Sequence, residues 1–223
     1  MSEAFVDACR RYRIIPVAVV DNADRAPALG SALMAGGLPL VEVTLRTPAG
    51  LAAIATLVDA GGPAGGPPLL VGAGTVLTVA QVDAAVAAGA SFVVSPGYSP
   101  AVVARCLELG VSVLPGVATA GEMMAALDQG LDLVKFFPAA GLGGPAGLAA
   151  FAAVFTELGF VPTGGVSLAN LGQYLAMPSV TAVGGSWLAP RRAIAEADFG
   201  RIEQLARQAV TAVQANQPGG EPN

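Results

Sequence analysis

Among its 223 residues the sequence has no histidine and a single lysine, Lys135, and charged residues make up only 12% of the chain. Without histidine the usual general base, the Ser-His-Asp and Cys-His nucleophile arrangements and the commonest metal ligand are all missing. A zinc centre, or a site mixing histidine with carboxylates, is therefore not expected. Cysteine is nearly absent too: Cys9 and Cys106 make no CxxC or metal-ligand spacing and are expected to be reduced, packed thiols. Basic charge is scarce. Eleven cations face sixteen anions for a net −5, and no basic cluster exceeds Arg10, Arg11 and Arg13, so nucleic acid is not expected as a partner. No charge occurs between Leu158 and Pro190, a length sufficient to span a bilayer. Its internal Pro162, Gly164, Gly165, Gly172 and Pro178 break it into short pieces, which argues against a membrane span. The first thirteen residues carry Glu3, Asp7 and three arginines where a secretory signal needs an apolar run, so a cytoplasmic location is expected.

What remains is rich in apolar residues, at 54% of the chain. So much burial in one large domain's length, with so few charges left for the surface, implies that some apolar surface lies in a subunit interface. Apolar β-branched runs alternate with alanine-rich helical runs along the whole length. Strands are expected at Ile14–Val20, Leu40–Leu45, Leu69–Thr75, Phe92–Pro96, Ser112–Ala118, Leu133–Phe137, Phe160–Gly164 and Thr181–Ser186. Helices are expected at Ala23–Ala35, Pro48–Ala60, Val79–Ala88, Pro100–Leu109, Gly121–Gln129, Pro145–Leu158, Leu168–Ala176 and Phe199–Val213. Eight such units close most simply into a single α/β domain, a (β/α)8 TIM barrel over residues 1–213 with a short N-terminal helix; an open doubly wound sheet is the alternative. Asn22, Thr78, Ser99, Thr119 and Ser167 are placed to cap helices, and Gly36, Gly61, Gly89, Gly110, Gly130 and Gly159 to end them. The Gly61–Pro68 loop falls on the face opposite a barrel's usual active site, and residues 214–223 read as a frayed tail.

Active sites of such barrels lie at the carboxyl ends of the strands, so polar residues there are the candidates for chemistry. In Leu133-Val134-Lys135-Phe136-Phe137-Pro138 an ammonium group interrupts an apolar run. If its face points inward, desolvation favours the neutral amine, the form that attacks a ketone to make a Schiff base; a guanidinium cannot do this. An arginine-for-lysine coding bias accounts for the missing surface lysines but not for where the remaining one stands. In Leu40-Val41-Glu42-Val43-Thr44-Leu45-Arg46, alternation puts Glu42, Thr44 and Arg46 on one face: a proton-transfer group and a fork suited to a carboxylate, or else a structural ion pair. Pro162-Thr163-Gly164-Gly165 and Gly184-Gly185-Ser186 end the last two strands, where many barrels hold a phosphate on backbone N–H groups. Val71-Gly72-Ala73-Gly74-Thr75, Ser95-Pro96-Gly97 and Leu114-Pro115-Gly116 shape the rim, with the Thr75 hydroxyl the best placed of these for a carboxylate or carbonyl.

Together with Val134-Lys135-Phe136-Phe137-Pro138-Ala139 and Gly184-Gly185-Ser186-Trp187, these motifs resemble, in order and over about Ile14–Val210, the class I 2-keto-3-deoxy-6-phosphogluconate (KDPG) and 4-hydroxy-2-oxoglutarate (KHG) aldolases. The resemblance implies reversible cleavage of KDPG to pyruvate and glyceraldehyde 3-phosphate, without metal or other cofactor, in a homotrimer serving the Entner-Doudoroff route of carbohydrate metabolism. It implies Lys135 as the Schiff-base lysine and Glu42 as the acid/base working through a water. Arg46 and Thr75 would hold the pyruvate carboxylate, Phe137 would pack beside the imine and Thr163 would meet a substrate hydroxyl or carbonyl. Gly164, Gly165, Gly185 and Ser186 would bind the 6-phosphate. Two stretches depart from the family's pattern, Ala139–Gly143, where relatives carry a more polar loop, and Val117-Ala118-Thr119, where many carry a serine. The alternatives are an aldolase for the galactonate epimer or for an unphosphorylated 4-hydroxy-2-oxo acid, a phosphate-binding isomerase or decarboxylase barrel, and a barrel that only binds a phosphorylated sugar acid.

Overall fold

Nine short strands alternate with helices in the computed structural model, which describes residues 3–62 and 67–216. The strands are β1 (Ile14–Ala18), β2 (Leu40–Thr44), β3 (Leu70–Gly74), β4 (Phe92–Val94), β5 (Ser112–Leu114), β6 (Gly116–Val117), β7 (Leu133–Phe136), β8 (Gly159–Pro162) and β9 (Val183–Gly185). The helices are α1 (Glu3–Tyr12), α2 (Ala26–Ala35), α3 (Gly50–Ala60), α4 (Val79–Ala87), α5 (Pro100–Glu108), α6 (Ala120–Asp128), α7 (Gly144–Ala152), α8 (Leu171–Leu175), α9 (Arg191–Ala195) and α10 (Phe199–Ala215). Of the expected loop, residues 63–66 lie outside the described residues, as do residues 217–223 of the expected tail. Gln214 and Ala215 are the last turn of α10 rather than tail. Among the described residues no helix is long and apolar enough to cross a membrane.

Every strand pairing is parallel, and the strands curl into two ladders, β5-β4-β3-β2-β1-β9 and β6-β7-β8. The single unbroken eight-stranded barrel expected from the sequence is therefore not what the ladders form, and two prolines explain the breaks. Pro115 splits the fifth expected strand: its carbonyl accepts from the Lys135 N–H at 2.9 Å, but it has no N–H to return, so β5 stays with β4 while β6 goes with β7. At the other seam Phe160 exchanges bonds with Ser179 and Thr181. The next donor facing that way would be Pro162, and only the single bridge Thr163↔Gly184 follows.

Helices bury their apolar stripes on the outer face of the strands, through Leu29 and Leu33 of α2, Ile54 and Leu57 of α3, and Ile202, Ala206 and Ala209 of α10. The N-terminal helix α1 stacks Phe5 on Phe92 with ring centroids 4.3 Å apart, filling the amino end of the strands and leaving polar groups to gather at the carboxyl end. Both cysteines are free and buried; burial pushes the Cys9 thiol up to about 12 and the Cys106 thiol to about 11, as expected for packed thiols. Thr78, Ser99 and Thr119 cap α4, α5 and α6 as expected, and Asn22 caps a one-turn 3-10 segment before α2. Ser167 does not cap a helix. Its N–H donates to Asn170 Oδ1, residues 168–170 form turns, and α8 starts only at Leu171. Gly159 begins β8 instead of ending a helix, because α7 stops at Ala152 and turns through Phe155 bring Leu158 inside.

Candidate active site

At the carboxyl ends of the strands lies a cavity of about 400 Å³. Two larger cavities, about 880 and 500 Å³, lie at the opposite end beside Arg13 and Gly37, and neither brings a lysine to a carboxylate. Period-two alternation on β7 turns Lys135 inward between the outward Val134 and Phe136, and the same alternation on β2 turns Glu42 and Thr44 inward. Lys135 is 5% exposed and Glu42 2%, and Lys135 Nζ stands 3.6 Å from Glu42 Oε1. That separation is longer than a hydrogen bond. The ammonium also lies over the Phe137 ring, 5.1 Å from its centroid, so an aromatic face and a carboxylate share its desolvation cost. Glu42 can bend into this position only because residue 74 is glycine: a Cβ there would stand 2.1 Å from Glu42 Oε1.

Around the pair, Arg46 is exposed at the mouth, and Thr75 lines the wall with its backbone in the left-handed region at φ 57°. A β-branched residue adopts that conformation only under compulsion, and such outliers concentrate at functional sites. On the far side Thr163 lies against Gly184, and Gly164 and Gly165 follow at φ 92° and 81°, conformations glycine takes without penalty. Ser186 opens a 3-10 turn beyond β9 and is exposed to the cavity.

Nine of the ten expected site residues thus line one cavity: Glu42, Arg46, Thr75, Lys135, Phe137, Thr163, Gly164, Gly165 and Ser186. Gly185 is not among its lining residues. Alternation turns Gly184 inward and directs a Cβ at Gly185 onto the Trp187 ring instead. Pro96 and Gly184, expected within the rim and phosphate motifs, also line it, as do Val17, Val166 and Thr44, which carried no expected role; for Thr44 the signal was present in its shared face with Glu42. Among the described residues no three His, Cys, Asp or Glu side chains form a group able to hold a metal ion. Chemically the arrangement offers a buried primary amine, a buried carboxylate beside it, and a mouth lined by glycines with one guanidinium.

Comparison with known proteins is in line with this geometry. Residues 6–205 match the family model described as "Aldolase: KDPG and KHG aldolase". The chain is similar to the 2-dehydro-3-deoxy-phosphogluconate aldolase of Treponema pallidum, 46% identical over 207 residues, covering 93% of this chain and 96% of the relative. It is 42% identical over 197 residues to the KHG/KDPG aldolase of Escherichia coli K12, covering 88% of this chain and 90% of that one. Among solved structures it superposes with TM-score 0.86 and 38% identity on a KDPG aldolase from Legionella pneumophila holding pyruvate as a covalent carbinolamine, covering 92% of this chain and 97% of that one.

Proposed function

The chain belongs to the KDPG and KHG aldolase family, and from that premise we propose that Lys135 is the imine-forming lysine of an aldolase that reversibly cleaves KDPG into pyruvate and glyceraldehyde 3-phosphate. The observation that carries the assignment is the burial of the chain's one lysine 3.6 Å from the buried carboxylate of Glu42. Transfer of the ammonium's proton to that carboxylate frees the amine to attack the C2 carbonyl; Glu42 then returns the proton to the carbinolamine hydroxyl, which leaves as water, and a protonated imine forms. Glu42 takes the C4 hydroxyl proton, the C3–C4 bond breaks, and its electrons enter the imine to give an enamine, so no metal is needed to stabilise a bare enolate. Protonation at C3 and hydrolysis release pyruvate and restore the amine. The same steps cleave 4-hydroxy-2-oxoglutarate to pyruvate and glyoxylate.

Arg46 and Thr75 bind the pyruvate carboxylate in this reading, Phe137 packs against the imine and Thr163 meets a substrate hydroxyl or carbonyl. Gly164, Gly165 and Ser186 bind the 6-phosphate through their N–H groups and the serine hydroxyl, which their shared position at the mouth supports; Gly185, outside that lining, is read with them only as the residue that leads into Ser186. We read the two ladders as one (β/α)8 barrel spanning residues 1–213, supported by the Thr163↔Gly184 bridge and by β5 and β6 being consecutive. The assembly is read as a homotrimer, supported by exposed apolar side chains such as Leu77 at 57%, Met124 at 59% and Val154 at 73%. A cytoplasmic location accords with two unpaired cysteines.

Borohydride trapping with pyruvate tests the assignment. One reduced pyruvyl adduct is expected on the peptide containing Lys135, with none in a Lys135→Arg variant, which should be folded and without turnover. A folded parent protein that gives no adduct would remove the imine mechanism.

A further inference from the structure

Thr44 is the polar residue of the cavity that the reaction above leaves without a task. It is 3% exposed, lines the same cavity as Lys135, and its Oγ1 has no hydrogen-bond partner among the described residues. Glu42 Oε1, which faces Lys135 Nζ at 3.6 Å, is the other buried side-chain oxygen among the described residues that has no hydrogen bond. Buried hydroxyl and carboxylate oxygens are satisfied as a rule, so two unmatched ones in one cavity mark where a further polar group belongs. The strand register makes them neighbours. Thr44 pairs with Gly74 across β2 and β3, at a spacing of ~4.8 Å. The Glu42 carboxylate bends over that same glycine, with 2.1 Å between Oε1 and the position a Cβ would take. The carboxylate of Glu42 therefore lies alongside Thr44, one step nearer the mouth than its own Cα.

The resemblance already implies that Glu42 works through a water; we propose that Thr44 holds that water beside the carboxylate, which makes Thr44 a positioning residue for proton transfer. The water donates one O–H to the carboxylate and accepts the Thr44 O–H, and its second O–H and remaining lone pair face the imine-bound carbon chain. When Glu42 is protonated, it gives its proton to the water as the water gives one to C3 of the enamine; in the reverse direction both transfers run backwards, and no proton is gained or lost. Gly74 supplies the room, and a valine at position 44 would keep the shape of threonine while removing its hydroxyl donor. This rests on the reading of Lys135 and Glu42 as the reacting pair.

Exchange of the pyruvate methyl protons for deuterium in D2O, followed by NMR, reports the proton transfer, while borohydride trapping reports the imine separately. Thr44→Val is expected to slow exchange by about tenfold or more, less than the roughly 10²–10⁴ that a whole proton-transfer group supplies because Glu42 stays in place, with adduct formation and the KM for pyruvate nearly unchanged. Thr44→Ser, which keeps the hydroxyl, should restore exchange to near the parent rate. Exchange in Thr44→Val within about two-fold of the parent would overturn the proposal. So would parallel loss of exchange and adduct, the mark of a structural role, or a serine variant as slow as valine with its adduct intact. Absence of an adduct in the parent protein would instead overturn the reading on which the proposal rests.

Discussion

A buried ammonium must be matched by something, and at Lys135 the match is divided between the Glu42 carboxylate at 3.6 Å and the Phe137 ring at 5.1 Å. A shorter, hydrogen-bonded salt bridge would hold the ammonium's proton in place. A pair slightly too long for a hydrogen bond keeps the amine available, and the carboxylate stays free to take a proton elsewhere. Glu42→Gln keeps the shape and removes the proton acceptor. We expect it to cut pyruvate methyl exchange by about two orders of magnitude or more while the borohydride adduct still forms, and equal loss in both assays would count against its role. At this scale the sequence was legible wherever alternation decides direction: Lys135, Glu42, Thr44 and Arg46 could be given a common inward face without coordinates. Gly185 shows the limit, because which glycine of a pair faces inward depends on where the strand enters, and that is set by its neighbours.

At the scale of elements, local chemistry shows most clearly where a helix starts. Thr119 Oγ1 accepts the Glu122 N–H, and Glu122 Oε2 accepts the N–H groups of Ala118 and Thr119 at 2.8 and 2.9 Å, a complete capping box for α6. Thr119→Ala is expected to cost about 1 kcal/mol, a fall of roughly 2–4 °C in Tm for a domain of this size, measured by thermal unfolding at fixed protein concentration. Caps such as this are readable because donor and acceptor are three residues apart. Ser167 had the right type in the right place, yet residues 168–170 form turns and the helix starts only at Leu171, with Asn170 at its N-cap. The strand breaks at Pro115 and Pro162 were equally present in the sequence. Their effect depends on which neighbouring strand the missing N–H would have faced, and pairing alone decides that.

For the whole molecule, the apolar excess is partly spent inside and partly left on the surface, at Leu77, Met124 and Val154 among others. Sedimentation or light scattering is expected to give a mass near three times the 22.0 kDa chain, about 66 kDa. A monomer at working concentration would remove the trimer reading. The sequence by itself determined the alternation of strands and helices, the absence of histidine chemistry and the inward face carrying Glu42 and Lys135, because all of these follow from residue identity and the two-residue period of a strand. Only the tertiary structure decided that Lys135 and Glu42, 93 residues apart in the chain, meet at 3.6 Å, that the ladders break at two prolines, and that Thr44 stands beside the carboxylate over Gly74. The reason is physical: facing is local, set by φ and ψ along one strand, whereas distance and register are set by how separate strands curl against one another, and no window of sequence contains both partners.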